Sequence, residues 1–134
     1  MPQDVDEQFE RDTIGKQQGV AMLTIAVQSL YLIVIALHAY FVLLEMVLWK
    51  TRGPKVFGIS RESAESTAAL ASNQGVYNGF LVVALLIGFY NPLFRFYGLA
   101  CVIVAGIWGG ITVSKRIFFV QSLPALLALV LCLI

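Results

Sequence analysis

Four polar side chains recur at a spacing of seven residues inside an apolar segment: Thr24, Tyr31, His38 and Glu45. Seven residues are close to two turns of an α-helix, so all four lie on one helix face with a drift of about 20° per step. A charged side chain deep in a bilayer costs at least about 2.5–3.5 kcal/mol on insertion scales. We therefore expect this face to point into a helix bundle or a cavity rather than into lipid.

His38 and Glu45 are the members of this row that could do acid–base chemistry. They are separated by about 10 Å along the helix, at 1.5 Å per residue, which is too far for a direct contact. We predict that they line one cavity and do not form a hydrogen-bonded pair. The functional interpretation makes them catalytic residues, and the alternative makes them part of a structural network between helices.

A second polar run, "ASNQGVYNG", covers residues 71–79 of the next apolar segment. The donors and acceptors of its amide and phenol groups need partners inside a membrane. The first polar row is the expected partner, because the two segments form a hairpin. We predict contacts among His38, Glu45, Asn73, Gln74 and Asn78. A ligand-binding role is assigned to six residues: Trp49, Asn73, Gln74, Tyr77, Asn78 and Gln121.

Glycines spaced by four residues occur in two of the apolar segments, as Gly75 with Gly79 and as Gly106 with Gly110. Small residues at this spacing allow two helix backbones to approach closely. We expect these pairs to pack helices tightly within one chain, and they are only weak support for an oligomer.

The composition places the chain in a membrane. It has 134 residues, of which 59% are hydrophobic and 13% charged, with a mean hydropathy of +0.83. A soluble domain of this size buries only about two thirds of its surface, too little to hide that much apolar area. The formal net charge of +1 is not the basic excess that is typical of nucleic-acid-binding proteins. Membrane lipids are the expected partners.

Cysteine and histidine usage argues against a metal centre. Cys101 and Cys132 lie within apolar runs and are interpreted as small hydrophobic side chains, not as a disulfide or a metal pair. His38 is the only histidine. We therefore predict no metal site and no cofactor.

Four apolar segments follow one another along the chain, roughly at 20–49, 67–90, 93–113 and 117–134. Each approaches or exceeds the ~20 residues that cross a bilayer as a helix. We predict an all-α integral membrane four-helix bundle made of two hairpins over residues 20–134. Residues 1–19 are a separate polar, acidic N-terminal segment. Gly53-Pro54 predicts a turn in the first loop, and Asn91-Pro92 predicts the boundary between the second and third helices.

Lysine and arginine in the short loops predict the orientation. The two loops at 50–66 and 114–116 carry six of them, and the opposite side carries three. The larger number predicts that both loops face the cytoplasm and that both termini lie outside.

Several motifs together resemble a family of small bacterial four-helix membrane proteins described as a domain of unknown function. The most specific is the run from Asn73 to Gly79, N-Q-G-x-Y-N-G, and another is the H-x6-E-x3-W pattern from His38 to Trp49. Shorter pieces are K-V-F-G at 55–58, T-V-S at 112–114 and V-Q-x-x-P-A at 120–125. The resemblance covers about residues 30–134. It implies the fold and a bacterial inner membrane, and it implies no activity.

Three functions remain open at this point. The first is a membrane protein whose polar site binds or transforms a lipophilic small molecule, with His38 and Glu45 as acid and base and the amides of Asn73 and Asn78 as ligand contacts. The second is a non-catalytic accessory subunit of a larger membrane complex. The third is a small proton-coupled multidrug-type transporter that works as a homo-oligomer, with Glu45 exchanging a proton for a cation.

Overall fold

The computed structural model describes the backbone of residues 2–133 and the side-chain surroundings of residues 6–133. Within residues 2–133 every regular element is a helix, so the predicted all-α class is confirmed. The elements in chain order are α1 (Pro2–Met46), α2 (Trp49–Phe57), α3 (Arg61–Ser66), α4 (Ala68–Ile87), α5 (Pro92–Thr112), α6 (Lys115–Ile117), a π turn (Phe118–Ser122) and α7 (Leu123–Leu131).

Three helices of the described chain, α1, α4 and α5, are long and apolar enough to cross a membrane. The predicted boundary between α4 and α5 is confirmed. Asn91 caps α5 by accepting a hydrogen bond from the Leu93 N–H at 3.0 Å, and Pro92 takes the first helical position. Proline fits there because the first N–H groups of a helix have no partner within it.

The prediction of four helices needs correction, because the chain forms more helices than four. The segment expected to be one fourth helix is divided into α6, the π turn and α7. Pro124 has no N–H to continue the ordinary hydrogen-bond ladder. The wider turn lies directly before it, where the Leu123 N–H reaches the carbonyl of Phe118.

The first loop also holds two helices, α2 and α3. The predicted turn at Gly53-Pro54 is wrong, since both residues lie inside α2. The absent Gly53 side chain leaves room for the Trp49 ring, because a Cβ there would stand 3.3 Å from the ring atoms. The chain reverses instead at Gly58, which has a φ of 68°, a conformation that side chains with a Cβ rarely adopt.

The packed core lies where α1, α4, α5 and α7 meet. Its buried residues are Tyr31, Val34, Ile35, Leu85, Leu99, Val102, Ala125 and Ala128. Outside this core most large apolar side chains are exposed on the bundle surface, for example Val104 and Ile111. Such a surface suits lipid, because a contiguous apolar exterior of this extent is unusual for a soluble protein.

Close approach at glycine occurs within the chain, as the spacing predicts. Gly75 lies against Met46 of α1, and Gly106 of α5 lies against Ser122 of the π turn. Gly110 follows on the same seam against Phe118. Gly79 has open space where a side chain would stand, so the α4 pair contributes one packing contact and not two.

The N-terminal part of α1 extends beyond the other helices. Every residue from 6 to 22 is exposed, whereas buried positions on α1 begin at Tyr31. A helix of 45 residues is about 67 Å long, roughly twice the length of α4 or α5. The helix runs through residues 19 and 20 without a break, and the proposed division of the chain at that point stays a prediction.

Candidate functional site

Glu45 of α1 and Asn78 of α4 form the one predicted site contact that joins two helices through side chains. The Asn78 Nδ2 donates to Glu45 Oε2 at 2.7 Å. Asn78 is buried, and Glu45 is half-buried. The other carboxylate oxygen, Oε1, has no hydrogen-bond partner among the described residues. Since no fully buried side-chain oxygen in that part of the chain lacks a partner, Oε1 lies at an accessible surface.

The depth of this pair follows from the register between α1 and α4. The two helices are antiparallel, with contacts at Gly75–Met46, Asn78–Glu45 and Leu85–Tyr31. Asn78 lies about midway along α4. Glu45, although it is next to the last residue of α1, therefore lies near the middle of the α4 span and not at its edge.

His38 is buried in the bundle but makes its hydrogen bond within its own helix. Its Nδ1 lies 2.9 Å from the carbonyl of Val34, and because a carbonyl only accepts, Nδ1 carries the proton of this bond. The ring meets that of Phe41 edge-on, with centroids 5.5 Å apart. Nε2 has no hydrogen-bond partner among residues 6–133. As the spacing predicts, no hydrogen bond joins His38 to Glu45 in that range.

The other members of the amide run lie elsewhere. Asn73, Gln74 and Tyr77 are exposed, and none of the three makes a side-chain hydrogen bond within the described range. The face of α4 that packs inward carries Ala71, Gly75, Asn78 and Leu85, a spacing of one or two helical turns. No hydrogen bond joins Asn73 or Gln74 to α1 among the described residues, and Asn78 is the amide of this run that bonds to the polar row.

The two remaining predicted ligand residues take part in packing. The Trp49 Nε1 donates to Thr67 Oγ1 at 3.2 Å, which ties the start of α2 to the start of α4. Its ring also packs against Phe57. Gln121 is half-buried on the π turn, with its Cβ beside Gly106. The interhelical bond there comes from its neighbour Ser122, whose hydroxyl donates to the Ile103 carbonyl at 2.8 Å.

A second polar region, which the sequence reasoning missed, closes the C-terminal end of α4. The Tyr31 hydroxyl donates to the Leu85 carbonyl. Arg95 donates through Nε to the Gly88 carbonyl at 2.9 Å and through Nη2 to the Phe89 carbonyl at 3.4 Å. The last carbonyls of a helix have no partner within it, and the negative end of the helix dipole favours a cation there.

A signal for this region was present in the sequence. Arg95 is the only charged residue between positions 67 and 113, so it stands alone among apolar neighbours. Its guanidinium carbon lies 5.5 Å from the Tyr31 ring centroid. Tyr31 belongs to the heptad row, but periodicity along one helix does not show which residues of another helix it meets.

The donor sets of the described residues do not form a metal centre. No group of three or more histidine, cysteine, aspartate or glutamate side chains in that range could hold a metal ion. The chemistry available around Glu45, Asn78 and His38 is proton exchange, hydrogen bonding and ion pairing.

The fold and these contacts define a class, an all-helical protein with helices suited to crossing a membrane and with polar groups held between them. A protein family described as "Protein of unknown function (DUF1304)" matches residues 32–133, and the chain belongs to that family. No curated protein and no solved structure matches the chain. The family match begins after the projecting part of α1 and includes His38, Glu45, Asn78 and Arg95, whereas Tyr31 lies one residue before it.

Proposed function

We propose that this protein is an integral membrane protein that binds or transforms a lipophilic small molecule at a polar site formed by Glu45, Asn78 and His38. The observation that supports it most is the Glu45 carboxylate, which lies level with the middle of α4, a candidate membrane span. One of its oxygens has no hydrogen-bond partner among the described residues. A charged group at that depth is costly and marks a functional site by default. Asn78 orients the carboxylate, and Oε1 is left to accept a proton or a hydrogen bond, or to pair with a cation.

His38 extends this site along the same face of α1. Its Nδ1 is engaged by the helix backbone, which orients the ring and leaves Nε2 to exchange a proton with a ligand. The predicted contribution of Asn73 does not fit the geometry, because that side chain is exposed. The ligand class that suits the site is an apolar molecule with one cationic or hydrogen-bond-donating group.

Labelling with a hydrophobic carbodiimide tests the site in native membranes, since such reagents react with carboxyl groups that are accessible from lipid. We expect one adduct on Glu45, found by mass spectrometry of peptides, and protection from it by the lipophilic cation tetraphenylphosphonium. Glu62→Gln, a change at an exposed residue of α3, is the matched control and should label like the wild type. Labelling that persists in Glu45→Gln, or an adduct that the cation does not prevent, would contradict the proposal.

The membrane arrangement is a further part of the proposal. We infer that α6, the π turn and α7 together cross the membrane as the fourth span, over about 26 Å of helix. Packing of Ala125 and Ala128 into the core supports this. The protein would then lie in a bacterial inner membrane as a four-helix bundle, with loops 50–66 and 114–116 in the cytoplasm and both termini outside.

Reporter fusions test this topology. Alkaline phosphatase fused after residue 134 should be active, because the enzyme works only outside the cytoplasm, and a fusion in the 50–66 loop should be inactive. Active enzyme at the loop position would reverse the orientation. Inactive enzyme at both positions would mean that the α6–α7 segment does not cross.

One observation favours the accessory-subunit function as a second candidate. The projecting part of α1, residues 6–22, is exposed throughout and displays Phe9 and Ile14. A photo-reactive amino acid at position 9 would report a partner protein that touches this segment outside the membrane. Crosslinks to one other protein, combined with no ligand protection at Glu45, would favour the accessory function over the ligand site.

A further inference from the structure

The region around Arg95 borders an open groove at the end of the bundle that carries the α4–α5 turn. Its volume is about 460 Å³, within the ~300–1,000 Å³ that is typical of small-molecule sites. Its walls come from α1, the start of α5 and the end of α7. Tyr31 and Glu45 are about 21 Å apart along α1, so this groove is separate from the site of the proposed function.

Arg95 gives the groove a positive charge that no carboxylate among residues 6–133 neutralises. Its Nε and Nη2 are bonded to carbonyls, and Nη1 has no hydrogen-bond partner among residues 6–133. The one salt bridge in that range joins Arg11 to Glu7, so no carboxylate there pairs with Arg95. A guanidinium held in this way presents its remaining N–H groups in a fixed direction, as recognition of carboxylate or phosphate requires.

Two further polar side chains line the same groove, Thr24 and Gln28. The Thr24 hydroxyl donates to the Val20 carbonyl at 2.9 Å. The Gln28 amide has no hydrogen-bond partner in the described range and is exposed, so its NH₂ group is a second free donor. Phe96 and Leu131 add apolar surface beside these groups.

If α5 crosses the membrane, the groove lies at the depth of lipid headgroups. The 21 residues of α5 give a helix of about 31 Å, close to the ~30 Å of a hydrocarbon core. Arg95 is in the first turn of α5 and therefore at the boundary between hydrocarbon and headgroups. A ligand that reaches the groove from the membrane would bring a polar group to Arg95 and keep its hydrocarbon chain in lipid.

We propose that this groove binds the anionic headgroup of a membrane amphiphile, a phosphate or carboxylate attached to a hydrocarbon chain. The anion accepts hydrogen bonds from Arg95 Nη1 and from the Gln28 amide. The first carbons of the chain pack on Phe96 and Leu131. A soluble anion without a chain lacks that apolar contact and binds more weakly.

Native mass spectrometry of the full chain, purified and delipidated in a neutral detergent, tests this. The probes are dioleoylphosphatidylglycerol, oleate, dioleoylphosphatidylcholine and inorganic phosphate. We expect the phosphatidylglycerol or the oleate to bind at least tenfold more tightly than the phosphatidylcholine, and the tighter of the two identifies the source of the anion. Equal binding of phosphatidylcholine, or full competition by inorganic phosphate, would overturn the proposal.

Variants locate the binding. Gln28→Glu adds a carboxylate to the groove without touching the bonds that Arg95 makes to α4, and we expect it to weaken anionic binding at least tenfold while thermal unfolding is unchanged. Lys115→Gln is the matched control, because it removes a cation from a different apolar groove beside Phe118 and Ile107, and should bind like the wild type. Wild-type affinity in Gln28→Glu, or an equal loss in Lys115→Gln, would refute the assignment. Glu45→Gln should leave lipid binding at this groove intact. A failure of the groove proposal can therefore be told apart from a failure of the proposed function at Glu45.

Discussion

The middle of α4 and its C-terminal end hold polar side chains of the neighbouring helices in different ways. At the middle, Asn78 meets the Glu45 carboxylate side chain to side chain. At the end, Tyr31 and Arg95 donate to backbone carbonyls. Carbonyls in a helix interior are already bonded, whereas those of the last turn are not. A polar side chain beside the last turn has a structural reason to be there, and Glu45 has no such backbone partner to explain it.

This difference distinguishes polar side chains that stabilise the fold from those that are available to a ligand. The hydrogen bond to the Leu85 carbonyl gives Tyr31 a structural role. The bonds from Arg95 to the Gly88 and Phe89 carbonyls give it a structural role for two of its three nitrogens. Glu45 keeps a free oxygen at mid-span, so its presence costs stability that the single Asn78 bond returns only in part. Substitutions at the end of α4 should therefore cause the largest loss in the free energy of unfolding. Substitutions at its middle should mainly weaken ligand binding.

The largest loss of stability is expected for Gly88→Ala at the end of α4. A Cβ there would meet the Tyr31 hydroxyl and stand 2.8 Å from the Arg95 Cα, and backbone cannot move aside as a flexible side chain can. We expect a loss of about 3 kcal/mol, at the upper end of overpacking effects. Unfolding in mixed micelles with increasing SDS measures it. Gly79→Ala, on the same helix with open space, is the control, and equal stability of the two variants would contradict the packing described.

Tyr31→Phe should come next. It keeps the ring that packs edge-on against Phe89 and leaves the Leu85 carbonyl without its donor. An unsatisfied buried carbonyl costs about 1–3 kcal/mol, and we expect about 2 kcal/mol in the same SDS titration. Tyr40→Phe removes a hydroxyl from an exposed ring and should change nothing. A Tyr31→Phe protein as stable as that control would show that the carbonyl finds another donor.

At the middle of α4 the expected effect is smaller. Asn78→Ala removes the bond to Glu45, and interhelical hydrogen bonds in membrane proteins contribute about 0.6 kcal/mol on average and about 1.7 kcal/mol at most. A double-mutant cycle with Glu45→Ala, which leaves no acceptor for the Asn78 amide, measures the coupling energy directly. Asn73→Ala, at an exposed position of the same run, should show no coupling. A coupling energy between Asn78 and Glu45 larger than the loss measured for Tyr31→Phe would contradict the comparison.

The smallest effect is expected at the link between α2 and α4. Thr67→Val removes the acceptor of the Trp49 Nε1 bond together with the exposed local bond from the Thr67 hydroxyl to the Ser63 carbonyl. We expect a loss of about 0.5 kcal/mol, the low end for partly exposed hydrogen bonds. The fluorescence of Trp49 should also shift, since its indole N–H would then face a different environment. Thr51→Val, which removes only a local bond to the Leu48 carbonyl, should leave the emission unchanged. Identical spectra for the two variants would argue against the link.

Part of the site followed from the sequence and part did not. The heptad row places Tyr31, His38 and Glu45 on the face that packs inside the bundle, because helical periodicity is a local property. Thr24, the first member of the row, is exposed instead, because the row begins in the part of α1 before its packed region. It could not separate Asn78 from Asn73, since both lie in one polar run and only the inward face of α4 decides between them. Arg95 was visible as a lone charge, but its carbonyl partners depend on how α4 ends.

The sequence by itself determined the helical class, the apolar character that suits a membrane and the boundary at Asn91-Pro92. These depend on composition, on short-range periodicity and on the missing N–H of proline. Only the tertiary structure decided the register of α1 against α4, which puts Glu45 at mid-span, and the division of the last segment by its π turn. Register depends on side chains that are distant in sequence, such as Gly75 against Met46, and no local pattern specifies it.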